Sequence, residues 1–435
     1  MSYGRNSITN EIRKRPFIRP LIFWLAGTLL QICFPLQAIS MILPAVAVIF
    51  TGISFFISKR ALPGSFTYNT RWVWGVVFAF LLIFLSIQRT SLAEQQLGHK
   101  AAPGFLLIKA GEMQEAMVNK LDRLDLSDEK KAVLATMTVN YRKNMTRDMS
   151  RRFSVVGLSH LLAVSGFHVG IISAFIGLIL SFMPKRIAFF HYLKYLLLML
   201  FIWMFTYTTG LATAAVRAAV MISIYLTGRM LKRRPDKYNT LAGAAFCMLV
   251  YNPLYLFDIG FQLSYLAVFF ILYLQPRLSR LAEIRNPLLA TPWNTLTVTV
   301  SAQVGTLFLC FYYFKQSSLL FLFTNLFLSL LATILIPATL MWMLIPSRTP
   351  GLECLGSAVE IMTNGLMRVV ERFSSIPGAI LSVRFDLFTV TGSYTALGLG
   401  LLYMQTRRYR MLLAAFAVLF LILCRTLATS FLAQV

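Results

Sequence analysis

Twelve apolar runs leave few folds open to this chain. They lie at 20–36, 39–58, 72–88, 158–183, 189–209, 211–231, 238–256, 258–275, 292–314, 318–345, 388–405 and 410–431. They reach the roughly 17 to 25 residues that a helix needs to cross the hydrocarbon core of a bilayer. Of the 435 residues 57% are hydrophobic and 13% charged, against about 45–50% and about 25% in a soluble domain. A water-soluble fold has no place for so much apolar surface. A closed β-barrel also satisfies its backbone in lipid, but it reads as short alternating strands, whereas Trp72 to Ile87 is apolar almost throughout. The expected fold is all-α: a polytopic transmembrane helical protein of about 10–12 spans with a small helical extracytoplasmic insertion.

Lys and Arg number 41 against 16 acids, a net charge of +25. Such an excess suits anionic headgroups or a polyanionic substrate, and it follows equally from the positive-inside rule, so charge alone names no ligand. Basic residues precede the first run (Arg5, Arg13, Lys14, Arg15, Arg19). They also follow the second (Lys59, Arg60, Arg71), the fourth (Lys185, Arg186), the sixth (Lys232, Arg233, Arg234, Lys237) and the eighth (Arg277, Arg280, Arg285). This every-other-loop pattern predicts a cytoplasmic N-terminus. Arg13-Lys14-Arg15 before Leu21 to Phe34 imitates a signal peptide, but no small-residue cleavage site follows, and the run is read as a retained helix. The alternation fails near the end, where Arg407, Arg408 and Arg410 fall on the wrong side. One stretch between 316 and 386 is therefore expected to be re-entrant or an uncounted crossing. The amphipathic stretch 352–373, with Leu355, Val359, Met362, Leu366, Val369 and Val370 on one side, fits a helix lying flat in the membrane interface.

Four regions follow. Residues 1–88 form N-terminal transmembrane helices, 89–156 an extracytoplasmic helical segment, 157–345 a transmembrane core, and 346–435 an amphipathic helix with C-terminal transmembrane helices. The hydrophilic segment holds eight of the 16 acids. Ser127 before Asp128 and Glu129 reads as a helix N-cap with acids in the first turn. That helix is expected to run toward Arg142, Lys143, Arg147, Arg151 and Arg152, either a collar that attracts phosphates or a solvated face. The cysteines Cys33, Cys247, Cys310, Cys354 and Cys424 stand singly, without the paired spacing of a disulfide framework or zinc site.

Ionisable groups inside spans cost about 2.5–3.5 kcal/mol each on insertion, which makes them functional candidates. The fourth run opens Gly157-Leu-Ser-His160-Leu-Leu-Ala-Val-Ser165-Gly166-Phe-His168-Val-Gly170. Gly166 and Gly170 are spaced to let another backbone approach. His160 and His168 stand about 80 degrees apart on an ideal helix, so a shared metal needs a break at Ser165-Gly166. Hydrogen-bonded packing, pore lining, a metal site and a Ser/His hydrolase are the readings open here, with no metal or cofactor expected. Arg217 is a lone cation among small residues, and Asp258 is placed to cap a helix or to pair with it. Gly260, two residues beyond Asp258, is read with Gly166 and Gly170 as a helix-packing position. Ser301, Gln303 and Asn325 suit helix cross-linking or a wet path.

These segments together resemble the competence domain of the ComEC family, bacterial inner-membrane proteins that admit transforming DNA. Gly157 to Gly170 is similar to the family signature HLLAISGLHVG. Val216-Arg217-Ala218-Ala219-Val220-Met221 looks like its arginine helix, and Asp258-Ile-Gly-Phe-Gln-Leu-Ser264 like its DxGFQLS segment. The three stand in family order. The resemblance implies a channel, not an enzyme, that carries single-stranded DNA into the cytoplasm. It makes His160, Ser165, His168, Arg217, Asp258, Gln262 and Ser264 pore or pore-support residues. The implied partners are membrane lipids, single-stranded DNA, a separate nuclease, a periplasmic DNA-binding protein and a cytoplasmic helicase, with a homo-oligomer left open. Two family features are missing from the sequence: segment 89–156 lacks the alternating strands of an oligonucleotide-binding β domain, and no HxH metal motif occurs. No nucleotide-binding P-loop occurs either. The alternative reading is a small-molecule or lipid transporter on the same scaffold.

Overall fold

The computed structural model describes residues 14–34, 52, 71–96, 104–184, 187–346 and 349–432. The expected second span at 39–58, apart from Gly52, lies outside the described residues, as do Arg5, Arg13, Lys59, Arg60, Lys185 and Arg186. The first half of the chain supplies α1 (Ile18–Cys33), α2 (Arg71–Gln96), α3 (Phe105–Val118), α4 (Asp128–Val139), α5 (Arg147–Val155), α6 (Ser159–Leu162), α7 (Gly166–Ile179), α8 (Ala188–Thr208) and α9 (Thr213–Met230). The second half supplies α10 (Lys237–Tyr251), α11 (Ile259–Leu278), α12 (Pro287–Phe314), β1 (Gln316–Ser318), α13 (Phe321–Leu344), α14 (Leu352–Ser374), β2 (Ile380–Ser382), α15 (Leu387–Thr406) and α16 (Tyr409–Leu432).

The protein is an all-α polytopic membrane protein. Among the described residues, α2, α8, α11, α12, α13, α15 and α16 are long and apolar enough to cross a bilayer, while α1 and α7 are shorter apolar helices. Not every run becomes a full span. α10 has 15 residues, about 22 Å at 1.5 Å per residue, and α9 carries both Arg217 and Arg229.

Basic loops gather at one end of the bundle. Arg15 before α1 pairs with Asp236 before α10 at 3.1 Å, and its guanidinium sits 4.7 Å over Tyr238. Tyr238 donates to Leu272 O on α11, Arg277 stacks 3.9 Å over Tyr273, and Gln405 of α15 donates to the Tyr273 hydroxyl. The opposite end carries a helical cap. Arg89 on α2 reaches Tyr251 O on α10 there, and Gln114 on α3 lies 3.4 Å from where a Gly210 Cβ would stand.

The cap is a packed core rather than a solvated appendage. All of Ala132 to Val139 on α4 is buried, so this helix is covered on every side. The single helix expected from Asp128 to Arg152 is two helices. Asn140 turns left-handed at φ 60 and ends α4, and the Thr146 hydroxyl accepts from Met149 N to start α5. Ser127 holds the N-cap position but its side chain makes no capping bond.

The run between 316 and 386 is a helical hairpin clasped at its base. β1 and β2 pair antiparallel, Gln316 opposite Ser382 and Ser318 opposite Ile380, so the chain leaves and returns at one point. Thr324 near the start of α13 donates to Val156 O, and Lys120 of the cap donates to Met343 O near its end. The apolar face of α14, including Val359, Leu366 and Val370, is buried with Leu121, Phe153 and Leu335. This corrects the expectation of a helix flat in the interface: α13, α4 and α5 cover that face. With the hairpin starting and ending at the cap end, α15 runs back from there. Arg407, Arg408 and Arg410 then join the basic end, where Gln405 meets Tyr273.

Candidate functional site

The run expected as one helix from 158 is fractured at its entrance. Gly157 has φ +81, and a Cβ there would stand 2.7 Å from Phe321 Cβ and 2.9 Å from Phe321 Cα. Only glycine serves a left-handed turn pressed against another backbone. The short α6 follows, then Ala163 and Ser165 are extended, and α7 begins at Gly166. Ser165 and His168 fasten the break. His168 Nδ1 accepts from Ser165 N at 3.2 Å and lies 2.9 Å from the Ser165 hydroxyl. Because the backbone N–H can only donate, Nδ1 is the unprotonated nitrogen and Nε2 carries the hydrogen. His168 is fully buried and Nε2 has no partner.

A Ser–His pair at this distance has the outline of a nucleophile and its base. The nitrogen that would abstract the proton is engaged by the backbone, and among the described residues no acceptor orients the ring from Nε2. The break that a shared metal would require is present, but the described residues contain no group of three or more His, Cys, Asp or Glu side chains able to hold an ion. His160 differs from its neighbour. It is exposed, and it reaches Asn325 on α13.

Arg217 on α9 is 6% exposed, and its guanidinium lies 3.6 Å from Asp258, whose side chain is half-exposed. Asp258 is also the N-cap of α11, accepting from Phe261 N at 2.7 Å. Both readings of this carboxylate hold at once. Gly260 leaves room for the pair, because a Cβ there would stand 2.9 Å from an Arg217 terminal nitrogen and 3.1 Å from Asp258 Oδ1. Upstream, Asn252 caps the 3-10 turn Pro253–Phe257 through Leu254 N. Gln262 donates to Leu256 O and accepts from the Tyr313 hydroxyl, both at 2.9 Å, which ties α11 to that turn and to α12. Ser264 bonds Phe261 O within its own helix, and Ser301 likewise bonds Thr297 O. Gln303 crosses to Ser317 in the clasp.

The helices bearing these residues close on themselves. α7 packs on α9, α9 on α11, α11 on α12, α12 on α13, and α13 returns to α7. The ring brings the fractured entrance, the Arg217 pair, Gln262, Gln303 and Asn325 into one assembly. Gly166 faces Ala218 of α9 at ordinary contact, 3.6 Å from its Cβ position, whereas no foreign atom approaches the Gly170 position within 4 Å. The close helix approach expected at Gly170 is absent there.

The collar residues divide. Lys143 pairs with Glu115, which raises the lysine's pKa through the hydrogen bond first and the charge second. Arg152 pairs with Asp148 at 2.7 Å and lies 3.6 Å from Glu129. Arg142, Arg147 and Arg151 are exposed and carry no ion pair among the described residues. α5 leads from them to the clasp, where Gln316 donates to Ser154. Sequence reasoning missed Tyr313, which lies 51 positions from Gln262 with no local signal, and Tyr265, which its spacing from Phe261 alone would assign to packing.

The competence protein family model matches residues 137–407, more than half the chain and all three motif segments. ComE operon protein 3 of Bacillus subtilis (strain 168) is 27% identical over 298 residues, which cover 68% of this chain and 35% of that protein. The chain thus spans about a third of that relative's length. No solved structure matches. The match runs through the ring and the clasped hairpin and takes in α5 and the last residues of α4 from the cap, and on it this chain belongs to the competence protein family.

Proposed function

We propose that this chain forms an inner-membrane path through which one strand of DNA enters the cytoplasm during natural transformation. The observation that carries the reading is the closed ring of five helices, fractured at its cap end beside an exposed histidine. Lipid-facing helices need no break, because irregular backbone at membrane depth is tolerated where protein buries it or a wet cavity borders it. The gathered basic loops support a cytoplasmic N-terminus and Arg407 loop by the positive-inside rule, with the cap facing outward. The exposed arginines of α5 then stand on the arriving side, where a polyanion first meets the protein. The path acts by positioning and charge, without bond chemistry of its own. A nuclease, an external DNA-binding protein and a cytoplasmic helicase would act around it.

The test is natural transformation, with uptake of labelled DNA, in the competent host carrying a deletion, the restored gene or the Arg217→Ala version. Loss on deletion with DNA still reaching the envelope, and no rescue by Arg217→Ala at normal membrane levels, is the expected result. Unchanged transformation after deletion would sink the reading and turn attention to lipids and small solutes.

A further inference from the structure

A buried cation is normally hydrogen-bonded, because removing it from water without partners is costly. Arg217 departs from that rule. It is 6% exposed, its nearest carboxylate oxygen lies at 3.6 Å, and it donates no hydrogen bond to a described residue. That distance is well beyond the roughly 2.7–2.9 Å of a charge-assisted bond. Its Nε is buried with no partner, and so is the hydroxyl of Tyr265. Tyr265 stands one turn beyond Phe261 on α11, its ring 4.2 Å from that of Phe261, and within electrostatic range of the guanidinium. Two neighbouring buried donors therefore lack an acceptor. Gly260 lets the guanidinium lie close to the α11 backbone, and a methyl group there would press on it. The charged and titratable neighbours of Arg217 are Asp258, Tyr265 and Tyr255.

We infer that Arg217 and Tyr265 form a buried oxyanion site that takes a phosphate oxygen, with Asp258 as the resident carboxylate that keeps occupancy short. The inference deepens the reading of the ring as a nucleic-acid path, but its chemistry can be tested apart from that reading. A guanidinium offers planar paired donors to phosphate, and the phenol adds one more. Asp258 remains bound to Phe261 N as the cap of α11, so an arriving anion meets a negative charge beside its binding partner. Such an arrangement favours binding that releases again, as a moving strand requires.

The experiment uses the purified full chain in detergent and follows thermal unfolding against inorganic phosphate, a single-stranded oligonucleotide or phosphatidylglycerol, at ionic strength held constant with gluconate. Phosphate is expected to stabilise the wild type. Tyr265→Phe, which keeps the ring and removes only the hydroxyl, is expected to weaken the apparent affinity roughly tenfold, as for loss of one hydrogen bond to a charged group, while leaving the unliganded transition in place. Asp258→Asn is expected to tighten it. No stabilisation by phosphate, or a Tyr265→Phe protein that binds phosphate as the wild type does, would overturn the site. Stabilisation by the lipid but not the oligonucleotide would support the oxyanion site and count against the DNA path.

Discussion

His168 and Arg217 are both nearly withdrawn from solvent on neighbouring helices of one ring, yet they meet burial in different ways. His168 turns one nitrogen back on Ser165 and fixes the start of α7. That bond accounts for its position, although Nε2 stays buried without a partner among the described residues. Arg217 has only a loose carboxylate and unused donors, so its own helix and neighbours do not explain it. The contrast separates a polar group that builds the fold from one held ready for something that arrives. It predicts that the two should fail differently when removed.

Replacing Arg217 should give the largest loss of function with the least loss of protein. Its partner Asp258 is half-exposed and keeps its bond to Phe261 N, so Arg217→Ala leaves no charge stranded in an apolar site. Transformation should fall at least roughly a hundredfold, the scale of about 3 kcal/mol of lost coupling, while immunoblots show near-normal membrane levels. Replacing His168 should do the reverse. His168→Ala removes a cap and opens a void, a cost of about 2–4 kcal/mol, so the protein level should drop and uptake should drop with it. His168→Gln should recover much of that level, since glutamine at this helical position can serve the same backbone N–H. If His168→Ala keeps its level but abolishes uptake, the contrast between the two residues is broken.

Gly260→Ala sits between these cases. The added methyl would approach the Arg217 terminal nitrogen and Asp258 Oδ1 at 2.9 and 3.1 Å, and both are ends of side chains that can shift. The expected outcome is a folded protein, with an unfolding transition lowered by about 1 kcal/mol at most, and a partial loss of uptake. Loss of folding instead would mean that the pair is held rigidly, which sharpens the account of Arg217 as preorganised.

How much of this was legible in the sequence depends on the range of the physical signal. Span-length apolar runs and alternating basic loops are local, and they gave the all-α membrane fold and the convergence of Arg15, Arg277 and Arg407 at one end. The Asp258–Arg217 pair was readable because a cation and an acid inside apolar runs each demand a partner. The clasp was not readable, since Gln316–Ser318 and Ile380–Ser382 are three-residue strands some 60 positions apart, too short to show a period. The face of α14 was readable but its cover was not. Amphipathicity states that one side is buried, not whether lipid or another helix buries it. Tyr265 was hidden for a related reason: an aromatic one turn from Phe261 looks like packing until its hydroxyl is seen to lack a partner.

The smallest expected effect concerns Gln262, which lies in the same motif as Asp258. It donates to Leu256 O and accepts from Tyr313, each at 2.9 Å, so it resembles His168 in being fastened to the fold by a bond to a neighbouring backbone group. Tyr313→Phe removes one of those bonds and keeps the ring that packs between α11 and α12. The loss should be about 1 kcal/mol of stability, visible as a slightly lowered unfolding temperature, with uptake unchanged within a factor of about two. Gln262 would keep its bond to Leu256 O, and its freed oxygen lies in a part-buried site that water can reach. A tenfold loss of uptake at unchanged stability would place Gln262 with Arg217, among the groups that face the strand, and would move the boundary between builder and binder one turn further along α11.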